Sequence, residues 1–293
     1  MIKTTGEKIF NICNMTLMIL LSLTIVFPFW QQIIISISPP SEASTVNLHL
    51  FTLHPTFDAY IDIFRKGTLL SAYFWTILKT ILATVLAIVV STMLAYPLSK
   101  KYLLGRKVWM GMIIVTMFFG GGLIPTFLLV KDLKLINTIW ALVLPGMCSA
   151  YNIIIIRNFF TSLPVELEEA AYIDGANDVT VFFRIVLPLS MPIIATVALW
   201  TIVGSWNAWF DALIYINDGK IKILQMVLRQ TLQEATNSSD IFSAQEEIAT
   251  GRLYTRESLQ AATLMAVTLP VLVTYPFLQK YFVKGIMVGS VKG

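Results

Sequence analysis

Four residues between positions 169 and 175 have types that suit close contact with another polypeptide. Glu169 is followed by Ala170 and Ala171, and after three further residues by Gly175. The small alanines allow a partner to approach closely, Glu169 can pair with a basic group, and Gly175 can set a bend. Ile185, Leu187 and Pro188 follow in the same stretch, and these seven residues are called the signature below. These residue types are compatible with a docking surface, and an ordinary amphipathic loop with solvated acids is the alternative.

The stretch 161–188 is polar enough to leave a membrane and is predicted to form two short helices joined by a turn. Ser162 can cap the first helix. Gly175 can take the left-handed conformation that ends this helix, and Asn177 offers a cap for the second. Pro188 then closes the second helix. The sequence therefore predicts a compact helix–turn–helix.

No residue pattern for catalysis or metal binding accompanies these side chains. His49 and His54 are the only histidines, and neither H-E-x-x-H nor G-x-S-x-G occurs. The phosphate-binding pattern G-x-x-x-x-G-K-[ST] is missing as well, and the run Gly120–Gly122 lacks a following Lys. We expect no catalytic residue, no metal site and no cofactor in this chain, with any ATP bound by a different polypeptide.

The elements that position these residues are expected to lie in a membrane. The 293 residues are 56% hydrophobic and 13% charged, and the mean hydropathy is +0.75. Soluble folds keep a mostly polar exterior, so this apolar excess requires the bilayer as solvent. The net charge of +4 does not indicate nucleic-acid binding, because the basic residues flank apolar runs instead of forming one patch. Membrane lipid is the expected surrounding.

Six near-continuous apolar stretches predict six membrane-spanning helices. Their approximate limits are 14–37, 71–97, 107–130, 138–160, 189–216 and 259–283. Prolines inside the spans, and the glycines at 120–122 in the third, are tolerated as kinks where neighbouring helices pack. The predicted fold class is an all-α integral membrane protein, with residues 1–293 forming a single transmembrane domain.

The loop after the second span predicts the orientation of the chain. Four basic residues and no acidic residue lie between positions 100 and 107, so this loop is expected in the cytoplasm. With six spans, both termini are then cytoplasmic. The segment 161–188 lies on the same side, and the long segment 217–258 lies on the outer side.

The seven signature residues match, position for position, the cytoplasmic motif of ABC importer permeases, a family that this chain resembles. The resemblance implies that 161–188 forms coupling helices that dock on an ATP-hydrolysing subunit. It also implies the partners: a second, related permease subunit, two ATP-binding cassette subunits that bind ATP and Mg²⁺, and an extracytoplasmic solute-binding protein. The implied location is the bacterial cell membrane, and the implied mechanism is ATP-driven alternating access.

Within that family the chain is similar to carbohydrate-uptake permeases, in particular to the second membrane subunit of maltose-type systems. The segment Gly204–Asn207 within the fifth span suits that group. The segments 95–98 and 120–125 resemble the subgroup that serves complex oligosaccharides, including acidic ones such as aldouronates and alginate fragments. The implied substrate is an oligosaccharide, and an acidic oligosaccharide is the finer expectation.

Five residues of the fifth span are candidates for the sugar path, because polar groups at membrane depth are costly and aromatic faces stack on sugar rings. They are Trp200, Trp206, Asn207, Trp209 and Asp211. For the tryptophans, packing or anchoring in the lipid interface is the alternative. Lys79 on the second span is predicted either to line the path or to pair with an acid on a neighbouring helix.

A secondary transporter and a channel are the alternatives to an ABC importer. A secondary transporter commonly has internal repeats around intramembrane charges, and neither a repeat nor a relay of buried acids is evident here. Hydropathy alone does not distinguish a channel, and the signature at 161–188 argues against one. The outer segment 217–258 is long enough to reach a solute-binding protein, with a simple solvated loop as the alternative.

Overall fold

The computed structural model describes residues 4–43, 48, 50–236 and 253–290, and over these residues the chain is helical with no β-strand. The helices are α1 Thr5–Ser36, α2 Pro40–Ala43, α3 Asp58–Arg65, α4 Thr68–Ser99, α5 Arg106–Phe118, α6 Leu123–Asp132, α7 Trp140–Val143 with the 3₁₀ turn Leu144–Gly146, α8 Ala150–Ser162, α9 Glu166–Ile173, α10 Asp178–Val181 with the π-helical turn Phe182–Val186, α11 Leu187–Leu189, α12 Met191–Asn207, α13 Phe210–Tyr215, α14 Leu224–Thr236 and α15 Arg256–Ser290. The prediction of an all-α protein is confirmed for this part of the chain.

Among the described residues, three helical segments are long and apolar enough to cross a membrane. They are Thr5–Ser36, Thr68–Ser99 and, within α15, Arg256–Thr274. At a rise of about 1.5 Å per residue, the 32 residues of α1 or of α4 extend about 48 Å, which exceeds a hydrocarbon core of about 30 Å. These segments lie where the sequence predicts the first, second and sixth spans.

The predicted third span is broken. α5 ends at Phe118, α6 begins at Leu123, and the two helices meet at 110°. Gly122 has a φ of +84°, a value that glycine adopts without a steric penalty. Residues inside a right-handed α-helix have a negative φ, so the helix cannot continue through Gly122. The 13 residues of α5 extend only about 20 Å and do not cross the bilayer core alone. The sequence predicts only a kink here, and the run Gly120–Gly122 produces a full break.

Two further predicted spans are bent. In the predicted fourth span, Trp140–Gly146 and Ala150–Ser162 meet at 50°. At the start of the predicted fifth span, Met191–Asn207 meets the helical segment Asp178–Leu189 at 75°, and nearly all of that segment belongs to the predicted cytoplasmic stretch 161–188. The predicted fifth span is interrupted once more after Asn207, because the backbone of Ala208 is extended before α13 begins. Counting each bent pair as one span, the described residues contain up to six spans.

The chain divides into two compact units. One consists of the described residues up to Leu69 together with those of Val227–Pro270, and the other of Leu70–Met226 and the described residues from Val271 onward. In the first unit, the Tyr60 hydroxyl donates to Ser36 Oγ at 2.9 Å, and Ser258 Oγ donates to the carbonyl of Ser38 at 3.3 Å. These bonds connect the end of α1 with α3 and with the start of α15.

The second unit has an aromatic core at the end of α4. The Tyr96 ring lies 5.0 Å from the Phe182 ring and 6.4 Å from the Phe160 ring, measured between centroids. Val186 and Val197 are fully buried in the same cluster. Residues of α4, α8, the π-helical turn and α12 therefore meet at one place.

Candidate functional site

Residues 161–188 fold into short helices that turn at Gly175. Gly175 follows α9 with a φ of +82°, the left-handed value expected at the end of a helix. Asn177 caps α10, since its Oδ1 accepts a hydrogen bond from the backbone N–H of Thr180 at 2.9 Å. The chain continues helically through Pro188 to Leu189 and bends at Ser190.

The start of α9 differs from the prediction that Ser162 caps it. Ser162 is the last residue of α8, and Val165, which precedes α9, makes no side-chain hydrogen bond as a cap. The chain needs the extended Leu163 to turn between the two helices, so no cap can lie as early as position 162. The first turn of α9 instead carries Glu166 and Glu168, which complement the positive end of the helix dipole.

The seven signature residues divide into an outward set and an inward set. Glu169, Ala170, Gly175 and Pro188 are exposed, whereas Ala171, Ile185 and Leu187 are half-buried. Among the half-buried residues, Ala171 and Leu187 pack against the Tyr96 cluster. The outward set leaves an acid and a small residue on one exposed helix surface, while the inward set attaches that surface to the bundle.

Glu168 forms an ion pair with Lys100. Both residues are only 9% exposed, and the carboxylate accepts a hydrogen bond from Lys100 Nζ. The same ammonium lies 4.3 Å from the centre of the Tyr96 ring, on whose face a cation is favoured. This pair joins α9 to the residue that directly follows α4.

Asp178 is shared by two tyrosines beside this ion pair. Its Oδ1 accepts hydrogen bonds from the Tyr172 hydroxyl at 2.6 Å and from the Tyr102 hydroxyl at 3.1 Å. Burial raises the pKa of Tyr172 above its ordinary value of 10.0, and the bond to the Asp178 carboxylate raises this pKa further. Both tyrosines therefore act as neutral donors, and the loop after α4 is joined to α10 as well as to α9.

The interruption after α12 is held by α4. Lys79 is 3% exposed and donates from Nζ to the carbonyl of Ala208 at 3.2 Å. One turn earlier on α4, the buried Thr76 Oγ1 accepts from the backbone N–H of Leu224 at 2.9 Å. Lys79 is also within electrostatic range of the Asp211 carboxylate. Lys79 is thus bonded to a backbone carbonyl with an acid nearby, and both of its predicted roles, lining the path and pairing with an acid, stay predictions.

The structure does not bring the five sugar-path candidates into one cluster. Trp200 is half-buried, lies 5.7 Å from the Tyr151 ring and packs against the Tyr96 core. Trp206 is buried, whereas Asn207, Trp209 and Asp211 are exposed around the interruption after α12. Trp200 precedes Asn207 by about two helical turns, roughly 10 Å.

The predicted outer segment 217–258 is described in part. It contains α14, Leu224–Thr236, and positions 237–252 lie outside the described residues. At the start of α14, Gln225 Nε2 donates to Asn207 Oδ1 at 3.2 Å. This contact joins one candidate of the sugar path to the outer segment.

Sequence reasoning missed the partners of Lys100 and Asp178. Lys100 belongs to the basic loop that is predicted to be cytoplasmic, and no sequence pattern connects it to Glu168. The two residues are 68 positions apart, and Tyr102 and Asp178 are 76 apart, so no local spacing reveals either contact.

Comparison with known proteins places these features in a family. The family profile described as binding-protein-dependent transport system inner membrane component matches residues 67–288. The chain is 40% identical over 290 residues to protein LplC of Bacillus subtilis, covering 99% of this chain and 97% of that protein. It is 37% identical over 287 residues to the polygalacturonan/rhamnogalacturonan transport system permease protein YtcP of the same organism, covering 98% and 99%.

A solved structure has the same fold. A chain in the crystal structure of a bacterial ABC transporter involved in the import of the acidic polysaccharide alginate aligns with a TM-score of 0.88 at 29% identity, covering 96% of this chain and 99% of that one. The predicted resemblance to ABC importer permeases of the carbohydrate class is confirmed. Through its match over residues 67–288 and its near full-length relatives, the chain belongs to the family of inner membrane components of binding-protein-dependent transport systems.

Proposed function

We propose that this chain is one membrane subunit of an ATP-driven importer of oligosaccharides, and that acidic oligosaccharides are its substrates. The observation that carries this proposal is the near full-length similarity to a permease named for polygalacturonan and rhamnogalacturonan transport, together with the fold shared with an alginate importer. Both names refer to uronic-acid polymers. Substrates of the same chemical class are therefore the simplest expectation for this chain.

In this function the segment 161–188 is the cytoplasmic coupling element. Glu169 and Ala170 offer an exposed acid and a small residue to a groove on an ATP-binding cassette subunit. Ala171 and Leu187 transmit force to the bundle, because they pack against the Tyr96 core. ATP and Mg²⁺ are bound by two such partner subunits, and their cycle switches the six spans between inward-open and outward-open states.

The membrane part is completed by a second, related permease subunit. The sugar passes between the two subunits, and Asn207, Trp209 and Asp211 at the interruption after α12 are its candidate contacts on this chain. Trp206, which directly precedes Asn207 in the chain, is buried, while Trp200 packs against the Tyr96 core. The loaded solute-binding protein docks on the outer side, where 217–258 lies, and both termini of the chain are cytoplasmic.

The experiment is uptake by vesicles that contain the complete complex, with ATP inside and the solute-binding protein outside. Trigalacturonate is compared with maltotriose, a neutral sugar of the same length. We expect uptake of trigalacturonate to be at least about tenfold faster, because a site built for carboxylates rejects ligands that lack them. Equal rates for the two sugars, or faster uptake of maltotriose, would remove the acidic substrate class from the proposal.

A further inference from the structure

We propose that the buried ion pair between Lys100 and Glu168 is the rigid connection through which the coupling helix α9 moves the membrane span α4. This inference rests on the proposed function and adds two positioning residues to it. Neither residue belongs to the seven-residue signature. Both act through α4 and contact neither ATP nor sugar.

Two neighbouring acids on α9 differ in their exposure. Glu169 is exposed, whereas Glu168 is 9% exposed and bonded to Lys100. Successive residues of an α-helix point about 100° apart, so one short helix can present an acid to a partner and another to its own chain. α9 is thus attached on one side and available on the other, as a transmitting element must be.

A second polar contact joins the coupling helices to the segment that follows α4. Tyr102 donates to Asp178, which also accepts from Tyr172 on α9. Lys100 and Tyr102 are two residues apart, directly after α4. The coupling helices are therefore held to one short segment by two contacts, and two contacts resist rotation where a single contact would allow it.

Packing around these two contacts is incomplete. A cavity of about 520 Å³ lies between the end of α4 and α10, and its lining includes Met93, Pro97, Asp178 and Phe183. Apolar packing is interrupted at this cavity, so the polar contacts beside it add to the displacement that the Tyr96 cluster transmits. A buried ion pair is suited to transmitting displacement. Removing either partner leaves the other charge uncompensated in the interior, and because of this cost the pair strongly favours one geometry.

The other end of α4 contacts the region around the interruption after α12. Thr76 and Lys79 bond to Leu224 and to the carbonyl of Ala208, next to the candidate sugar contacts. Lys79 and Lys100 are separated by 21 positions, which is about 32 Å along a continuous helix. α4 therefore connects the coupling helix directly to the interruption after α12.

The test uses the complete complex in vesicles and measures sugar taken up per ATP hydrolysed. Glu168→Gln and Lys100→Met each remove one charge, and the exchange variant Lys100→Glu with Glu168→Lys restores a pair of opposite charges. The matched controls are Glu166→Gln and Lys101→Gln, which change exposed neighbours. We expect each single variant to lower the sugar-to-ATP ratio by about tenfold, within the range by which contact networks change coupling. We expect the controls to keep the ratio and the exchange variant to recover most of it.

A cross-link separates a rigid connection from a contact that opens during transport. Lys100→Cys and Glu168→Cys are combined in a chain with Cys13→Ser and Cys148→Ser, and the two thiols are joined by short bifunctional reagents of graded length. We expect uptake to continue after cross-linking, because the two positions move together. Arrest of uptake by every reagent that forms the cross-link would overturn the inference.

An unchanged sugar-to-ATP ratio in both single variants also overturns the inference. If the single variants fail to assemble, the exchange variant decides, since assembly with restored uptake supports the connection and assembly without uptake contradicts it. Absence of ATP-dependent uptake by the unaltered complex is a failure of the proposed function itself, and it is seen before any variant is compared.

Discussion

Glu168 and Glu169 are adjacent in α9, yet Glu168 is buried against Lys100 and Glu169 is exposed. One acid therefore belongs to the interior of this chain and the other to a surface that another protein can cover. This difference sets separate expectations for substitutions at the two positions, although their chemistry is the same.

Reversing the exposed charge should prevent docking of the ATP-hydrolysing subunit. Glu169→Lys places a cation where we propose that a basic group of the partner lies, and like charges brought together at an interface cost several kcal/mol. The amount of ATPase subunit that co-purifies with the chain should fall by at least about tenfold. Glu166→Lys, also exposed on α9, is the matched control. Equal recovery of the ATPase subunit with both variants would mean that Glu169 is not at the interface.

Gly175→Ala should destabilise the turn between the coupling helices. Nothing lies within 4 Å of a Cβ at this position, so the only penalty is the φ of +82°, about 1–2 kcal/mol for a residue with a side chain. Gly111→Ala is the control, because a Cβ there also has open space and Gly111 lies inside α5, where alanine is favoured. The midpoint of thermal unfolding should fall for Gly175→Ala and not for Gly111→Ala. A fall of equal size in both variants would contradict this interpretation.

Thr76→Val should destabilise the chain more than the same change at another buried threonine of α4. It leaves the backbone N–H of Leu224 without its acceptor, and an unsatisfied buried donor costs about 1–3 kcal/mol. Thr84→Val removes only a bond from the side chain to its own helix, at the carbonyl of Thr80. Thermal unfolding of the purified complex measures both changes. A Thr84→Val loss equal to that of Thr76→Val would show that the contact to Leu224 contributes little.

Trp209 should act in transport through its aromatic face. Trp209→Phe keeps a ring that can stack on a sugar, whereas Trp209→Leu keeps only apolar bulk. We expect the phenylalanine variant to retain most of the uptake and the leucine variant to lose about tenfold, since stacking and burial by an aromatic ring contribute on the order of 1–2 kcal/mol. Initial rates of sugar uptake provide the measurement. Similar rates for both variants would favour packing or lipid anchoring.

The orientation can be tested by thiol labelling in intact cells. In a chain with Cys13→Ser and Cys148→Ser, Lys101→Cys should react with a membrane-impermeant reagent only after the cells are opened. Asp218→Cys should react in intact cells, because the segment after the fifth span is predicted to lie outside. Labelling of position 101 in intact cells would reverse the proposed topology.

The sequence predicts the parts of this structure that depend on local chemistry. Gly175 and Asn177 form the turn and the cap for which their residue types are suited, and runs of apolar residues become long helices. The prediction was wrong for Ser162, because the chain needs further residues to turn after α8. The break at Gly122 is larger than the predicted kink. A run of three glycines permits a break, but it does not determine the angle of 110° between the two helices.

Contacts between distant positions could not be predicted from one sequence. Two such contacts join Lys100 to Glu168 and Lys79 to Ala208. Both depend on how α4 packs against helices far along the chain. The surroundings of Trp200 could not be predicted either. Trp200 lies beside Tyr151 and packs against the Tyr96 core, away from the other sugar-path candidates. Spacing within a span places residues on a helix, but it does not determine which neighbours they meet.

The most direct test of the central claim is the energy source for uptake by the purified complex. Vesicles with the solute-binding protein and trigalacturonate outside are compared with and without ATP inside, and with the transmembrane proton and sodium gradients abolished. The account predicts uptake that requires internal ATP, persists without ion gradients and is lost when the ATPase subunits are omitted. Uptake that proceeds without ATP and follows an ion gradient would contradict the account and would indicate a secondary transporter.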